Sequence, residues 1–156
     1  MQALARETGR SVSYFVHDGR NRVRLLHVHG DASSSADVKR VGEQMPLDRG
    51  SPGLVLLAFA GRAGAQYDAI RLRGYHMTIG EARRGRASIS APVFGSRWNI
   101  VGALTIGVPA ADATEALLQG YVQPLVASTT RLSRAIAREQ ERTNPLLQQR
   151  GAWHPG

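Results

Sequence analysis

Residues 87–108 read Ala87-Ser88-Ile89-Ser90-Ala91-Pro92-Val93-Phe94, then Gly95-Ser96-Arg97-Trp98-Asn99, then Ile100-Val101-Gly102-Ala103-Leu104-Thr105-Ile106-Gly107-Val108. Two runs with strand character flank a short polar loop. This predicts a β-hairpin with strands at 87–94 and 100–108, a loop at 95–99 and an end at Pro109. Side chains alternate across a strand. Ile100, Leu104, Ile106 and Val108 therefore share one face, interrupted only by Gly102. Ala103, Thr105 and Gly107 share the other, and Ser88 and Ser90 share a face of the preceding strand. One side of the hairpin is apolar and the other carries small or hydroxyl groups. Such a face leaves room for a closely packed helix or for a ligand pocket, and both readings stand.

Working outward, residues 2–8 read as the tail of a helix closed by Gly9. Residues 12–16 and 23–29 read as strands joined at Asp18-Gly19. Residues 31–36 read as loop, and 37–45 as a third, short strand leading into Met45-Pro46-Leu47. Ser51 then reads as an N-cap and Pro52 as the first helical residue, where its missing amide costs nothing. The apolar run 54–60 follows and Gly61 ends it, which predicts a helix buried all round. Residues 64–73 form a shorter amphipathic helix stopped by Gly74. The C-terminal part reads as one long helix. Asp112 and Glu115 make its capping pair, and Leu118, Tyr121, Val122, Leu125, Leu132 and Ile136 recur at helical spacing. Pro124 should kink or restart it. Beyond Arg142 the periodicity is lost, which predicts a flexible tail over 143–156. The order of elements is that of an α+β domain, an antiparallel sheet flanked by helices.

A chain of 156 residues fits one domain with a real core. The absence of cysteine excludes disulfides, thiolate metal sites and a cysteine nucleophile. No apolar run is long enough to span a membrane and no secretory pattern opens the chain, so a cytoplasmic protein is expected. The formal net charge is +8, and 19 of the 20 basic residues are arginine. A positive field attracts anions. Yet the arginines are spread along the chain, with the tightest group at Arg83, Arg84 and Arg86. A solvated surface is the plain reading and a nucleic-acid face the sharper one.

Candidate chemistry is sparse. His27-x-His29 followed by Asp31 would offer metal ligands from one strand face, but a stable site needs three or four ligands with support. The ordinary polar end of a strand is the stronger reading of the pair. Ser51 precedes a helix, yet Gly50-Ser51-Pro52-Gly53 is not a nucleophile elbow, and Pro52 removes the amide that would serve an oxyanion. Anion binding suits the segment better. A helix's first turn offers free N–H groups and the positive end of its dipole. Gly53 and Leu54 keep their amides, and Ser51, Ser88 and Thr105 could add hydroxyl donors. The alternative there is a plain N-cap.

The segments Val41-Gly42-Glu43-Gln44-Met45-Pro46-Leu47, Ser51-Pro52-Gly53-Leu54-Val55-Leu56-Leu57-Ala58, Gly74-Tyr75, Gly80-Glu81, Ala91-Pro92-Val93-Phe94 and Val101-Gly102-Ala103-Leu104-Thr105-Ile106 occur in this order. Together they resemble the effector-binding domain of the IclR family of bacterial transcription regulators. The resemblance runs from about Leu4 to Ile136. It implies a GAF-like α+β fold with a curved, mainly antiparallel sheet and a long C-terminal helix. It also implies a pocket for a small organic-acid effector, and assembly as a homodimer or tetramer. By position, the pocket falls on Met45, Ser51, Pro52, Gly53, Thr78, Arg86, Ser88, Thr105 and Gly107. Arg86, if it faces inward, favours an anionic ligand by charge-assisted pairing. No cofactor and no metal are expected.

The resemblance further implies that 1–9 is the end of a linker helix and 10–142 the effector-binding domain. The N-terminal winged helix-turn-helix is then absent from this chain, as in an excised domain or a natural truncation. Operator DNA would be reached only through that missing part. The expected function is ligand sensing without catalysis and without a membrane. The rival classes are a ligand-free oligomerisation module, a metal or serine hydrolase using His27, His29 or Ser51, and direct nucleic-acid binding through arginine.

Overall fold

The computed structural model describes residues 1–31, 41–82 and 84–144. The predicted loop at 32–36, the start of the predicted third strand, Arg83 and the predicted tail from 145 lie outside them. Helix α1 (Gln2–Thr8) ends on Gly9 at φ 67°, the left-handed closure glycine favours. Strands β1 (Ser11–Asp18) and β2 (Asn21–Val28) follow as a hairpin, then the short β3 (Gln44–Pro46). Two helices, α2 (Ser51–Phe59) and α3 (Ala65–Arg73), lead to β4 (His76–Ile79), β5 (Arg86–Phe94) and β6 (Ile100–Pro109). The chain closes with α4 (Glu115–Gly120) and α5 (Val122–Thr143). The strands form one curled antiparallel sheet in the order β3-β2-β1-β6-β5-β4. The expected α+β class holds.

The alternation read in the hairpin decides the layers. Ile89, Leu104, Ile106, Val108 and Val12 are fully buried on one face, in a cluster with Leu4 of α1, Leu118 of α4 and Leu125 of α5. Gly102 interrupts that stripe because a side chain there would lie 2.3 Å from the ring of Tyr14. On the other face Ala103 and Phe15 pack with Leu54, Val55, Leu56 and Ala58 of α2 and Ile70 of α3. A helix all but uniformly apolar is thus sandwiched between sheet and α3, as a run without a polar stripe requires. Helix α5 also pins the far end of β5. Phe94 N–H donates to Ser133 Oγ at 2.9 Å and Ser96 N–H to Gln140 Oε1 at 2.7 Å.

Several local readings need correction. The third strand is shorter than 37–45 suggested and is paired only at Gln44–Pro46. The C-terminal helix is two helices, with the break at Tyr121, and Pro124 sits in the first turn of α5 where it breaks no ladder. The first of the two is capped by Thr114, whose hydroxyl accepts from Leu117 N–H at 3.1 Å. Asp112 does not cap. It pairs with Arg10 at 3.1 Å, and the Arg10 Nε donates to the Tyr121 hydroxyl at 3.2 Å. That hydrogen bond, more than the carboxylate, raises the pKa of Arg10 against the opposing effect of burial. The edge strand β4 was not foreseen. Replacing Thr114 by alanine removes the one side-chain cap of α4 and should cost about 1 kcal/mol in chemical denaturation. An unchanged midpoint would show that the cap carries no stability.

Candidate functional site

The site arises from register on the face that α2 covers. Ser90 pairs with Thr105, Thr105 with Ser13 and Ser13 with His27, so one row of short polar side chains crosses four strands. Thr78, Ser88, Gly107 and Ser11 make the adjacent row. Helix α2 covers part of this floor. Its Ser51 hydroxyl is fully buried and lies 2.7 Å from both Ser88 Oγ and Ser90 Oγ, and Ser90 Oγ lies 2.8 Å from Thr105 Oγ1. The small-residue face is therefore only partly filled. A helix packs closely on one half, and beside its N-terminus a hollow of about 100 Å³ remains.

The hollow is lined from the strands by Ser13, Phe15, Arg22, Arg24, Arg86, Ala87, Ser88, Thr105 and Gly107. Met45, Pro52, Thr78 and Ala82 complete it. Of the residues placed there from the sequence, Met45, Pro52, Thr78, Arg86, Ser88, Thr105 and Gly107 line it, and Ser51 and Gly53 do not. Ser51 is turned into the hydroxyl cluster under the helix, and its N–H donates to Thr78 Oγ1 at 3.1 Å. The cap position is Gly50, so Ser51 is the first helical residue and Pro52 the second. Leu54 N–H already donates to the Gly50 carbonyl at 3.1 Å. Gly53 backs onto the Leu47 carbonyl. The helix start therefore contributes Pro52 to the wall, and the hydrogen-bonding chemistry comes from the strands.

That chemistry is chiefly guanidinium, and sequence reasoning missed most of it. Arg22 is 3% exposed and Arg24 6%. Arg22 Nη1 donates to the Pro46 carbonyl and, at 2.7 Å, to the Arg49 carbonyl, which ties β2 to the turn entering α2. Its Nε has no hydrogen-bond partner among the described residues. Arg24 Nη1 meets Glu43 Oε2 at 2.5 Å. Both guanidiniums stand over the Phe15 ring, Arg24 at 5.1 Å and Arg22 at 5.7 Å from its centroid. Burial, then the charge of Arg24, pushes the pKa of Arg22 down to about 10. Burial and Arg24 lower Arg86 as well. All three remain cationic at neutral pH. The lowered pKa values of Arg22 and Arg86 come first from burial of the charge with little water around it and then from the neighbouring charge of Arg24.

The irregularity that gathers these groups is a bulge. Phe15 pairs with Arg24 but Tyr14 with Leu26, so Leu25 is the extra residue on β2. Beyond it the alternation flips. Arg22, Arg24 and His27 share the face of the hollow, whereas strict alternation groups His27 with Val23 and Leu25. His27 Nδ1 lies 2.9 Å from Ser13 Oγ, and its ring meets that of His29 edge-on at 4.5 Å between centroids. Among the described residues no group of three or more potential metal ligands assembles around them. Nor is any described helix long and apolar enough to cross a membrane.

The curled antiparallel sheet with helices on both faces and a long C-terminal helix is the fold of the C-terminal domains of IclR-type transcriptional regulators. Residues 64–134 match the family model described as bacterial transcriptional regulator IclR, C-terminal. The resemblance read from the sequence is thereby borne out. Among solved structures, a Rhodococcus sp. protein assigned to the IclR family is 25% identical over 88% of this chain, with a TM-score of 0.77. The Thermotoga maritima IclR structure is 22% identical over 86% of the chain, with a TM-score of 0.78. The chain spans 61% of the former and 64% of the latter. The C-terminal domain of the E. coli regulator KdgR is 22% identical over 88% of this chain and is itself covered to 93%, with a TM-score of 0.74. No curated protein sequence matches the chain.

Proposed function

We propose that this domain is the effector-sensing part of an IclR-type transcription regulator and that its effector is a small organic acid held in the hollow between β2, β5 and the start of α2. The observation that carries this reading is the lining itself. Three guanidiniums converge on a floor of hydroxyls and a glycine, beside an apolar wall of Phe15, Met45 and Pro52. An anionic head with a short apolar body fits that combination. In this reading Arg22 and Arg24 from β2 and Arg86 from β5 supply the positive charge that holds the acid, and Ser13, Thr78, Ser88 and Thr105 orient the remaining oxygens. Ser51 and Gly53 support the wall from behind. The role is binding rather than catalysis, because the Ser51 hydroxyl is engaged by Ser88 and Ser90 and has no base beside it.

In this reading helix α1 is the end of a linker, and operator binding belongs to a winged helix-turn-helix rather than to the domain described. The acid acts in the cytoplasm on a dimer or tetramer, by preferring one of its arrangements. An acid that binds both arrangements equally changes nothing. Isothermal titration of the domain with a panel of small mono-, di- and aromatic acids tests the reading. The expected result is saturable binding by at least one acid. At a hundredfold excess over Kd, that acid should stabilise the fold by about 2.7 kcal/mol in thermal melts. A panel without heat or thermal shift overturns it.

A further inference from the structure

We infer that the hollow selects small dianions, a dicarboxylate or a phosphate monoester, over monoanions of the same size. The inference rests on the hollow being the binding site and adds which class of acid it takes. The cations enter from opposite sides. Arg22 and Arg24 rise from β2 and Arg86 from β5, and β1 and β6 lie between those strands. In a flat sheet that separation is roughly 14 Å, three strand spacings. Curling of the sheet and the length of arginine side chains reduce it at the tips. The charge of Arg24 depresses Arg86 across this gap, so the two sides sense each other. Between them the floor is Ser13, Thr105 and Gly107, short enough to leave the span open.

An anion with one charged end meets one side of this arrangement only; on the β2 side Arg24 already meets Glu43, which leaves Arg22 there and Arg86 opposite as the two positions for an anionic end. A ligand charged at both ends, or carrying a dianionic phosphoryl group, engages both. Guanidinium has five N–H donors in a planar fork that matches carboxylate and phosphate oxygens, and it accepts a second oxygen partner without giving up the first. The volume sets the size. About 100 Å³ is less than the roughly 150 Å³ that accepts benzene, so the ligand is compact.

The test compares isosteric pairs that differ in one charge, at constant ionic strength, on the intact domain. Malonate is titrated against malonamate, succinate against succinamate, and methyl phosphate is added as the phosphoryl probe. A dianion that binds at least tenfold tighter than its amide partner is the expected result, and which dianion leads separates the carboxylate from the phosphate source. Equal affinities within a pair overturn the dianion preference and leave acid sensing intact. Binding confined to single-charge acids does the same. Silence from every acid overturns both. Arg86→Gln should reduce the preference to about threefold or less, because dianion affinity falls further than monoanion affinity. Arg86→Lys, which keeps the charge, should retain most of it. An Arg86→Gln domain with the full preference overturns the two-sided clamp.

Discussion

Alanine at position 53 will lower the melting temperature of the domain by roughly 5–10 °C, although alanine is the better helix former. The reason is an approach that only a missing side chain allows. A Cβ on Gly53 would lie 2.2 Å from the Leu47 carbonyl oxygen, 2.8 Å from its carbon and 2.9 Å from Arg22 Nη1. The first two atoms are backbone, in the turn that Arg22 holds through the Pro46 and Arg49 carbonyls. They cannot swing aside as a side-chain tip would. Either α2 or the turn must move, and overpacking of this kind costs about 1–3 kcal/mol, occasionally more. Against it stands a gain of up to about 1 kcal/mol in helix propensity, smaller in the first turn. With two backbone atoms this close the steric cost lies at or above the top of that range, which leaves a net loss of about 2–3 kcal/mol. A domain of this size loses roughly 2–4 °C for each. Gly120 supplies the control. It ends α4 with nothing within 4 Å of its would-be Cβ, so Gly120→Ala should be neutral or slightly stabilising. A Gly53→Ala domain that melts with the parent would mean the turn yields at no cost and does not fix the wall of the hollow.

The same contact shows what a sequence discloses and what it hides. Period-two alternation over 87–108 placed Ser88, Ser90, Thr105 and Gly107 on one face, because both strands pair in an unbroken register through those positions. Helix ends were legible wherever glycine closes them, as at Gly9 and Gly74, both in the left-handed region. Gly53 was visible as a glycine, but its reason lies in Leu47, a tertiary contact that no local pattern encodes. Arg22 and Arg24 were hidden for two reasons. In a chain with this many arginines, two buried ones look like the solvated rest. The bulge at Leu25 also brings them onto the face of His27, whereas unbroken alternation sets them on the opposite one. The trace that was available is Arg22-Val23-Arg24 inside a strand, two cations forced onto one face. The edge strand β4 has four residues between Gly74 and Gly80, too short for its period to register. Gly120 ends α4 and the break falls at Tyr121, but the apolar spacing carries on across both, so the run through 115–143 read as continuous.

Substituting methionine for Arg22 should separate the stability of the domain from its capacity to bind acids. Two effects oppose each other in the fold. The variant loses the bonds to the Pro46 and Arg49 carbonyls, and leaving a carbonyl unsatisfied costs about 1–3 kcal/mol when it is buried. Those carbonyls belong to exposed residues, Pro46 and Arg49, so water can replace part of what is lost. On the other side, the variant removes a nearly buried cation repelled by Arg24, and methionine keeps the packing over Phe15. Exchanging buried charge for a hydrophobe of similar volume is often neutral or stabilising. The opposing effects are of similar size, and the expected change in unfolding free energy is about 1 kcal/mol or less. Nothing offsets the loss in binding. A charge-assisted hydrogen bond contributes about 1.5–3 kcal/mol, so acid affinity should fall about 10- to 100-fold, with the larger loss for dianions. Parallel melts and titrations decide the matter. If Arg22→Met melts far below the parent, the arginine is there chiefly to hold the turn. If the variant binds acids as the parent does, the hollow is not where they bind. A stable variant with weakened binding assigns the buried guanidinium to the ligand.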